Sequence, residues 1–333
     1  MKAYTINRYS KEDALQLVDV AVPEINENEV LVEIHAASVN QLDVKTKTGE
    51  FKLLLPYKFP LILGHDVAGI ITKVGSKVRQ FKVGDEVFAR PADFKIGTFS
   101  EYIAINETDI ALKPQNISME QAASFPLVAL TAWQAFFEKA RLQKGQKVFI
   151  QAGSGGVGTI AIQLAKHLGA TVATTTSADN FDLVKSLGAD IVIDYKTQDF
   201  GTILKDYDLV LNSQDGKTLE KSMKILKSGG KVISISGPPD TTFAKELGLP
   251  WFMKTAFFFL SRKVKKQAKK LNVDYSFLFM QANGKQLSEI SSLIEAGVIR
   301  PIIDKVFSFE QTNEAMSYVE SGRAKGKVIV RVK

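Results

Sequence analysis

The chain has 333 residues, 45% of them hydrophobic and 24% charged, with no cysteine and a formal net charge of +7. That length is too great for one ordinary core and sufficient for two domains, in proportions typical of a globular protein. The missing thiols exclude disulfides, thiolate nucleophiles, iron–sulfur clusters and cysteine-ligated zinc.

The positive charge is local. Lys254, Arg262, Lys263, Lys265, Lys266, Lys269 and Lys270 crowd into residues 251–270, a stretch without a single acid, and outside it cations and acids balance. Nucleic acid is therefore not an expected partner. The opening stretch, MKAYTINRYSKEDALQL, lacks the apolar core of a signal peptide, and no run reaches the roughly 18 apolar residues that span a bilayer. The expected compartment is the cytoplasm.

From residue 1 to about 120 the apolar runs are short and alternating, as in EVLVEIHAA and AGIITKVG, and glycines punctuate them. A compact β-rich domain is expected. After Pro114 the stretch SMEQAASFPLVALTAWQAFFEKA has a helical texture, with Ser118 and Gln121 spaced as a capping box. From 147 onward strands alternate with crossovers: KVFIQA, TVATTT, DIVID, YDLVLN, GKVISIS and YSFLFM. Six such strands specify a doubly wound parallel sheet in an α/β fold. The final segment, from Arg300, holds one helical pattern between two strand-like runs and is expected to return to the first domain.

Between the first two of those strands lies IQAGSGGVGTIAIQLAK, residues 150–166. Gly153, Gly155 and Gly158 fit G-x-G-x-x-G, with Gly156 beside them, and the motif follows a strand and opens a helix, the context that gives it meaning. Val157, Ile160, Ala161, Leu164, Ala165 and Leu168 share one helical face, expected to pack on the sheet. The first glycine is expected to make the turn, the second to admit a pyrophosphate to the backbone, and the third to bring helix and strand together. Free N–H groups and the helix dipole favour the anion. The second strand ends in Thr174, Thr175, Thr176 and Ser177, without the carboxylate that would select NAD through its ribose. NADPH is favoured over NADH on that ground, although no Arg or Lys follows until Lys185.

Blocks spread over nearly the whole length give the chain its resemblance: ASVNQLDVK at 37–45, LGHDVAGIITKVGSKV at 63–78, FKVGDEVFA at 81–89, GTFSEYIAI at 97–105, AASFPLVALTAW at 122–133, AGSGGVG at 152–158, LGADIVIDY at 187–195 and SGRAKGKVIV at 321–330. Together these resemble the medium-chain dehydrogenase/reductases, specifically the zinc-independent quinone oxidoreductase and enone reductase branch. The resemblance implies a GroES-like β-barrel catalytic domain at residues 1–120 and 285–333 and a Rossmann domain at 121–284. Zinc-dependent relatives hold their catalytic metal through two cysteines and the histidine of a Gly-His-Glu motif. Here only His65 of that set is present, and Asn40 takes the place of the first cysteine, so no zinc is expected. By the same resemblance Asn40 borders the nicotinamide and substrate, and Thr131 contacts the carboxamide. Ser154 to Gly158, including Gly155, Gly156 and Val157, hold the pyrophosphate. Ser177 and Tyr195 flank the adenosine phosphate, where the family commonly adds a basic residue that this chain lacks at 177–180. A homodimer is the family precedent.

Without a metal, hydride transfer suits a quinone or an α,β-unsaturated carbonyl, in which charge develops on a distant oxygen that hydrogen-bond donors can stabilise. Lys45 is the leading candidate donor, with a solvated or ribose-contacting role as its alternative. His65 is a second donor, while Asp43 and Asp66 either orient neighbours or serve the fold alone. A non-catalytic NADP(H)-binding redox sensor or structural protein is the competing class. In FMKTAFFFLSRKVKKQAKK, the residues Met253, Ala256, Phe257, Leu260, Val264, Ala268 and Leu271 recur at helical spacing. Docking of that stripe on its own protein is expected, with peripheral membrane contact through 251–270 as the less favoured alternative. Trp251 and the phenylalanines at 257–259 are then expected to help wall an apolar pocket for a small hydrophobic carbonyl or quinone substrate.

Overall fold

A computed structural model describes residues 1–333 and divides into two compact units, Met1–Leu130 with Gln281–Lys333, and Thr131–Met280. The first unit opens with β1 (Lys2–Ile6), β2 (Gln16–Asp19), β3 (Glu29–Val39), α1 (Gln41–Thr48) and β4 (Leu61–Ile62). It continues with β5 (Asp66–Val74), β6 (Glu86–Ala89), β7 (Tyr102–Asn106), β8 (Ile110–Leu112) and α2 (Met119–Ala123). The single helix expected after Pro114 is in fact broken. Helix α2 carries the expected Ser118–Gln121 capping box, and α3 (Pro126–Trp133) starts afresh at a proline, which cannot donate to the preceding turn. A π-helical stretch at Gln134–Ala140 follows. The first unit extends to Leu130 because the start of α3 is tied to it, the Leu127 N–H donating to Asp66 Oδ1 at 2.7 Å.

The second unit runs through β9 (Lys147–Ile150), α4 (Gly156–His167), β10 (Thr171–Thr176), α5 (Phe181–Ser186), β11 (Ile191–Asp194), α6 (Phe200–Ile203) and β12 (Tyr207–Asn212). It closes with α7 (Gly216–Met223), β13 (Leu226–Ser234), α8 (Thr241–Glu246), α9 (Trp251–Lys270) and β14 (Asp274–Phe277). Its six strands form one parallel sheet in the order β11-β10-β9-β12-β13-β14, the doubly wound arrangement expected of six strands with crossovers. Val148, Phe149, Ile150, Val172, Ala173, Val210 and Val232 are fully enclosed, as strands covered on both faces require.

Chain then returns to the first unit as α10 (Gly284–Glu295), β15 (Ile303–Ser308), α11 (Thr312–Glu320) and β16 (Lys327–Arg331). Strand β3 is the axis of a seven-stranded sheet, pairing antiparallel with β5, β7 and β16. Its alternation puts Val30, Val32 and Ile34 into a core with Ile71, Val87, Ile103, Ile105 and Ile110. A second core gathers Tyr4, Leu63, Phe99, Met316 and Val330.

One polar knot fastens these distant pieces. Asp66, at the start of β5, is completely buried and accepts hydrogen bonds from Ser38 Oγ at 2.7 Å, Asn40 Nδ2 at 2.8 Å and Lys327 Nζ at 3.1 Å, besides the Leu127 N–H. Lys327, 4% exposed, also donates to Asn40 Oδ1. A buried carboxylate left without its cation is costly, so Lys327→Met is expected to destabilise the fold by about 3–5 kcal/mol. Denaturant titration followed by circular dichroism checks this. Adding Asp66→Asn should recover part of the loss, whereas a Lys327→Met cost below about 1 kcal/mol would deny the ion pair that role.

Candidate functional site

The glycine motif forms a tight bend between β9 and α4, and each glycine is there for a different reason. A β-carbon on Gly153 would lie 2.2 Å from Thr174 Oγ1 on the neighbouring strand, and one on Gly158 would lie 2.3 Å from the Ala152 carbonyl oxygen and 2.8 Å from Gly153 Cα. Neither position admits a side chain. At Gly155 the only atom within contact range is the Ala152 oxygen, at 3.3 Å, so the space above it is open. The turn itself differs from expectation: its left-handed residue is Ala152, at φ 51°, and Gly153 serves the close approach to β10 instead. Gly153 N–H donates to the Thr175 carbonyl at 2.9 Å, and Ala152 N–H to Thr175 Oγ1 at 3.3 Å, which pins the bend to the second strand.

Gly155 is the N-cap of α4, in extended conformation, and Thr159 is the first residue to donate back to it, at 3.0 Å. The N–H groups of the intervening first turn have no acceptor within the helix and, with the helix dipole, form an anion site. The helix is buried more completely than a one-sided pattern requires: Thr159, Ile162 and Gln163 are enclosed as well as Ile160, Ala161, Leu164 and Ala165. Val157 and Leu168 of the expected stripe are only half-buried.

Beside the bend, the carboxyl end of β10 carries a rim of neutral groups. Thr176 Oγ1 donates to Ser154 Oγ at 2.8 Å, and Asn180 Nδ2 lies 3.3 Å from Ser154 Oγ and 3.1 Å from Ser177 Oγ. Tyr195, immediately after β11, is 62% exposed, and its N–H donates to the Thr176 carbonyl at 3.3 Å. The structure thus brings Ser154, Ser177 and Tyr195 to one edge with the glycines. Sequence reasoning missed Asn180, which joins Ser154 to Ser177. It also passed over two exposed charges near this edge, Asp179 in the loop and Lys196 after Tyr195. Thr131 is buried in the same unit, on α3.

The remaining candidates lie in the first unit. Asn40 precedes α1, and its N–H donates to Asp43 Oδ2 at 2.7 Å. Its side chain is fully employed: the amide nitrogen serves Asp66 and the Ser38 carbonyl, and the oxygen accepts from Lys327. His65 Nδ1 lies 2.5 Å from Asp43 Oδ1, both residues having no exposed surface, and Nδ1–H donates to that carboxylate. His65 Nε2 is buried without a partner. Lys45 is about one-third exposed, with Nζ 3.7 Å from Glu50 Oε2 and 5.9 Å from the centre of the Phe51 ring.

Two further polar residues of this unit gave no local signal in the sequence. Burial first, and next the Asp93 charge, push the Tyr57 phenol well above its ordinary range, so it stays a neutral donor, and its hydroxyl is buried without a partner. Arg90 is wholly enclosed, its Nη2 2.5 Å from Asp93 Oδ1 and its Nη1 donating to the Pro91 carbonyl.

These donors suit a dinucleotide and do not suit zinc. The open face of Gly155 and the first-turn amides fit a diphosphate. A tetrahedral metal site would need three or four N, O or S ligands, and no group of three His, Cys, Asp or Glu side chains here could hold an ion. His65 stands alone, and the neighbouring Asn40 amide is spent on Asp66 and Lys327.

Comparison with known proteins agrees with this architecture. Residues 26–115 match the alcohol dehydrogenase GroES-like domain and residues 187–330 the zinc-binding dehydrogenase family. The zebrafish (Danio rerio) mitochondrial NAD(P)H oxidoreductase RTN4IP1 is 37% identical over 100% of this chain and 91% of its own length. The 2-methylene-furan-3-one reductase of tomato, Solanum lycopersicum, is 36% identical over 99% of this chain and 79% of its own. Among solved structures, Escherichia coli quinone oxidoreductase in complex with NADPH superposes with a TM-score of 0.84 at 26% identity, covering 100% of both chains. With a GroES-like unit, a Rossmann unit built on a glycine bend, and relatives matched end to end, the chain belongs to the medium-chain dehydrogenase/reductases and is an oxidoreductase of their quinone oxidoreductase and enone reductase branch.

Proposed function

We propose that this protein is an NADPH-dependent, metal-independent reductase of quinones or α,β-unsaturated carbonyl compounds. The observation that carries the reading is the bend at 152–158: Gly153 and Gly158 are demanded by internal contacts, while Gly155 leaves room over a helix N-terminus. Bound NADPH supplies the hydride. In this reading Gly155 and the first turn of α4 hold its diphosphate and the rim of Ser154, Ser177, Asn180 and Tyr195 faces its adenosine end; the choice of NADPH is supported by the E. coli relative, solved in complex with it. Hydroxyls, an amide and Lys196 accommodate a 2′-phosphate, opposed by Asp179 in the loop and by Asp194, which pairs with Thr176 at the end of β11 and accepts from the Lys196 N–H at 3.0 Å.

Conjugated acceptors suit a site without a Lewis acid. Hydride addition to an activated carbon leaves negative charge on an oxygen several atoms away, where fixed donors suffice. Lys45, the accessible cation of α1, is the donor proposed for that oxygen. His65 is enclosed and paired with Asp43, so its part is to hold the start of α1 and the Asn40 backbone in place rather than to meet the substrate. Asn40 is a rigid group with no free donor, its amide held by Asp66 and Lys327.

Three outcomes follow. Gly155→Val suits the φ of −82° and asks the Ala152 carbonyl, 3.3 Å from the new β-carbon, to give by a few tenths of an ångström; with the circular dichroism spectrum unchanged it should weaken NADPH at least about tenfold in a fluorescence titration, and unaltered affinity would remove the diphosphate from this bend. Lys45→Met should lower kcat for enones and quinones about tenfold with NADPH affinity unchanged, and an unchanged kcat would leave Lys45 a surface residue. Prolonged dialysis against a chelator should leave turnover intact, whereas loss that added zinc restores would contradict the metal-free reading.

A further inference from the structure

Helix α9 is docked on its own unit by a narrow stripe and leaves an unusual outer face. Phe257, Ser261, Val264 and Ala268 are buried, and Phe257 stacks at 6.3 Å from Phe243. This corrects the stripe expected from the sequence, since Ala256 and Leu260 are exposed and Ser261 is inward. Ser261 tolerates burial because its hydroxyl donates to the Phe257 carbonyl at 2.7 Å. Of the aromatic residues expected to line a pocket, only Phe257 is covered. Trp251 is 76% exposed, Phe252 58%, Phe258 53%, Phe259 62% and Leu260 60%.

Several cations share a face with Phe252 and Phe259. Positions 252, 255, 259, 262, 266 and 270 fall on one stripe opposite the buried 257, 261, 264 and 268. Its first half is Phe252, Thr255 and Phe259 and its second half is Arg262, Lys266 and Lys270, flanked by Lys263 and Lys269. Lys263 pairs with Glu220 at 2.5 Å and Lys265 with Asp240 at 2.6 Å. Lys254, Arg262, Lys266, Lys269 and Lys270 have no anionic partner, and the helix contains no acid.

We propose that the outer face of α9 is a docking surface for an anionic phospholipid bilayer, with the helix lying flat on it. A bilayer surface offers both things this face lacks: an apolar boundary for Trp251, Phe252 and Phe259, and phosphates or carboxylates for the unpaired cations. A second copy of the chain would present the same acid-free face and supply no counter-charge. A soluble polyanion would leave five large apolar side chains in water. The contact is peripheral, because no helix is long and apolar enough to cross a membrane.

Co-sedimentation of the full chain with vesicles of phosphatidylcholine and phosphatidylserine, 7:3, against pure phosphatidylcholine tests this. Binding is expected to the anionic vesicles alone and to weaken steeply when sodium chloride rises from 0.1 to 0.5 M, magnitudes on the order of screening lengths of 10 and 4 Å. The variants Lys266→Gln/Lys269→Gln/Lys270→Gln and Trp251→Ser/Phe252→Ser/Phe259→Ser should each lose at least about tenfold in partitioning, with melting temperature unchanged because all six residues are exposed. Failure of the unaltered protein to sediment overturns the proposal. So does undiminished binding by the aromatic variant, which would make the face a simple polycation. Dissociation of an oligomer by the aromatic variant, with vesicles ignored by the parent, would make it a contact between copies and equally overturn it.

Discussion

The bend between β9 and α4 is the constraint on which the second unit depends. It passes so close to its neighbour at Gly153 and to itself at Gly158 that a β-carbon at either position would lie within 3 Å of another atom, and only glycine can sit there. That closeness lets α4 lie on the sheet with Thr159 through Ala165 buried, and it aims the first-turn amides past Gly155. Packing accounts for two of these residues and leaves Gly155 to the ligand proposed above. Gly153 and Gly158 serve the fold, and Gly155 keeps the approach clear.

The first unit is fastened by a buried polar knot. Asp66 collects donors from β3, the residue before α1, β16 and the start of α3, while Asp43 binds the Asn40 backbone and the His65 ring. Charges that deep are tolerated only because each is paired and hydrogen-bonded. The consequence is a rigid wall around Asn40, whose amide can neither rotate nor donate elsewhere without breaking a bond inside the protein.

What the sequence disclosed, and what it hid, follows from the range of the interactions. The glycine bend, the six strands and the Ser118 capping box are local, written in spacing over a few residues, and all stand in the structure. The Asp66–Lys327 pair joins residues 261 apart, so no periodicity announces it. Asn180 was invisible for a related reason: its role comes from two serines brought together by the ends of separate elements. Pro126 carried a legible break that the apolar texture around it masked. On α9 the apolar residues outnumber what one stripe can bury, and spacing alone could not show that Ser261, satisfied by its own helix, would point inward in place of Leu260.

The most direct measurement is a calorimetric titration of the unaltered protein with NADPH and with NADH. The proposed reading of the bend and rim predicts micromolar NADPH binding and NADH weaker by about tenfold, a difference of about 1.4 kcal/mol. If neither nucleotide binds at millimolar concentration, Gly155 does not face a diphosphate and the functional account fails.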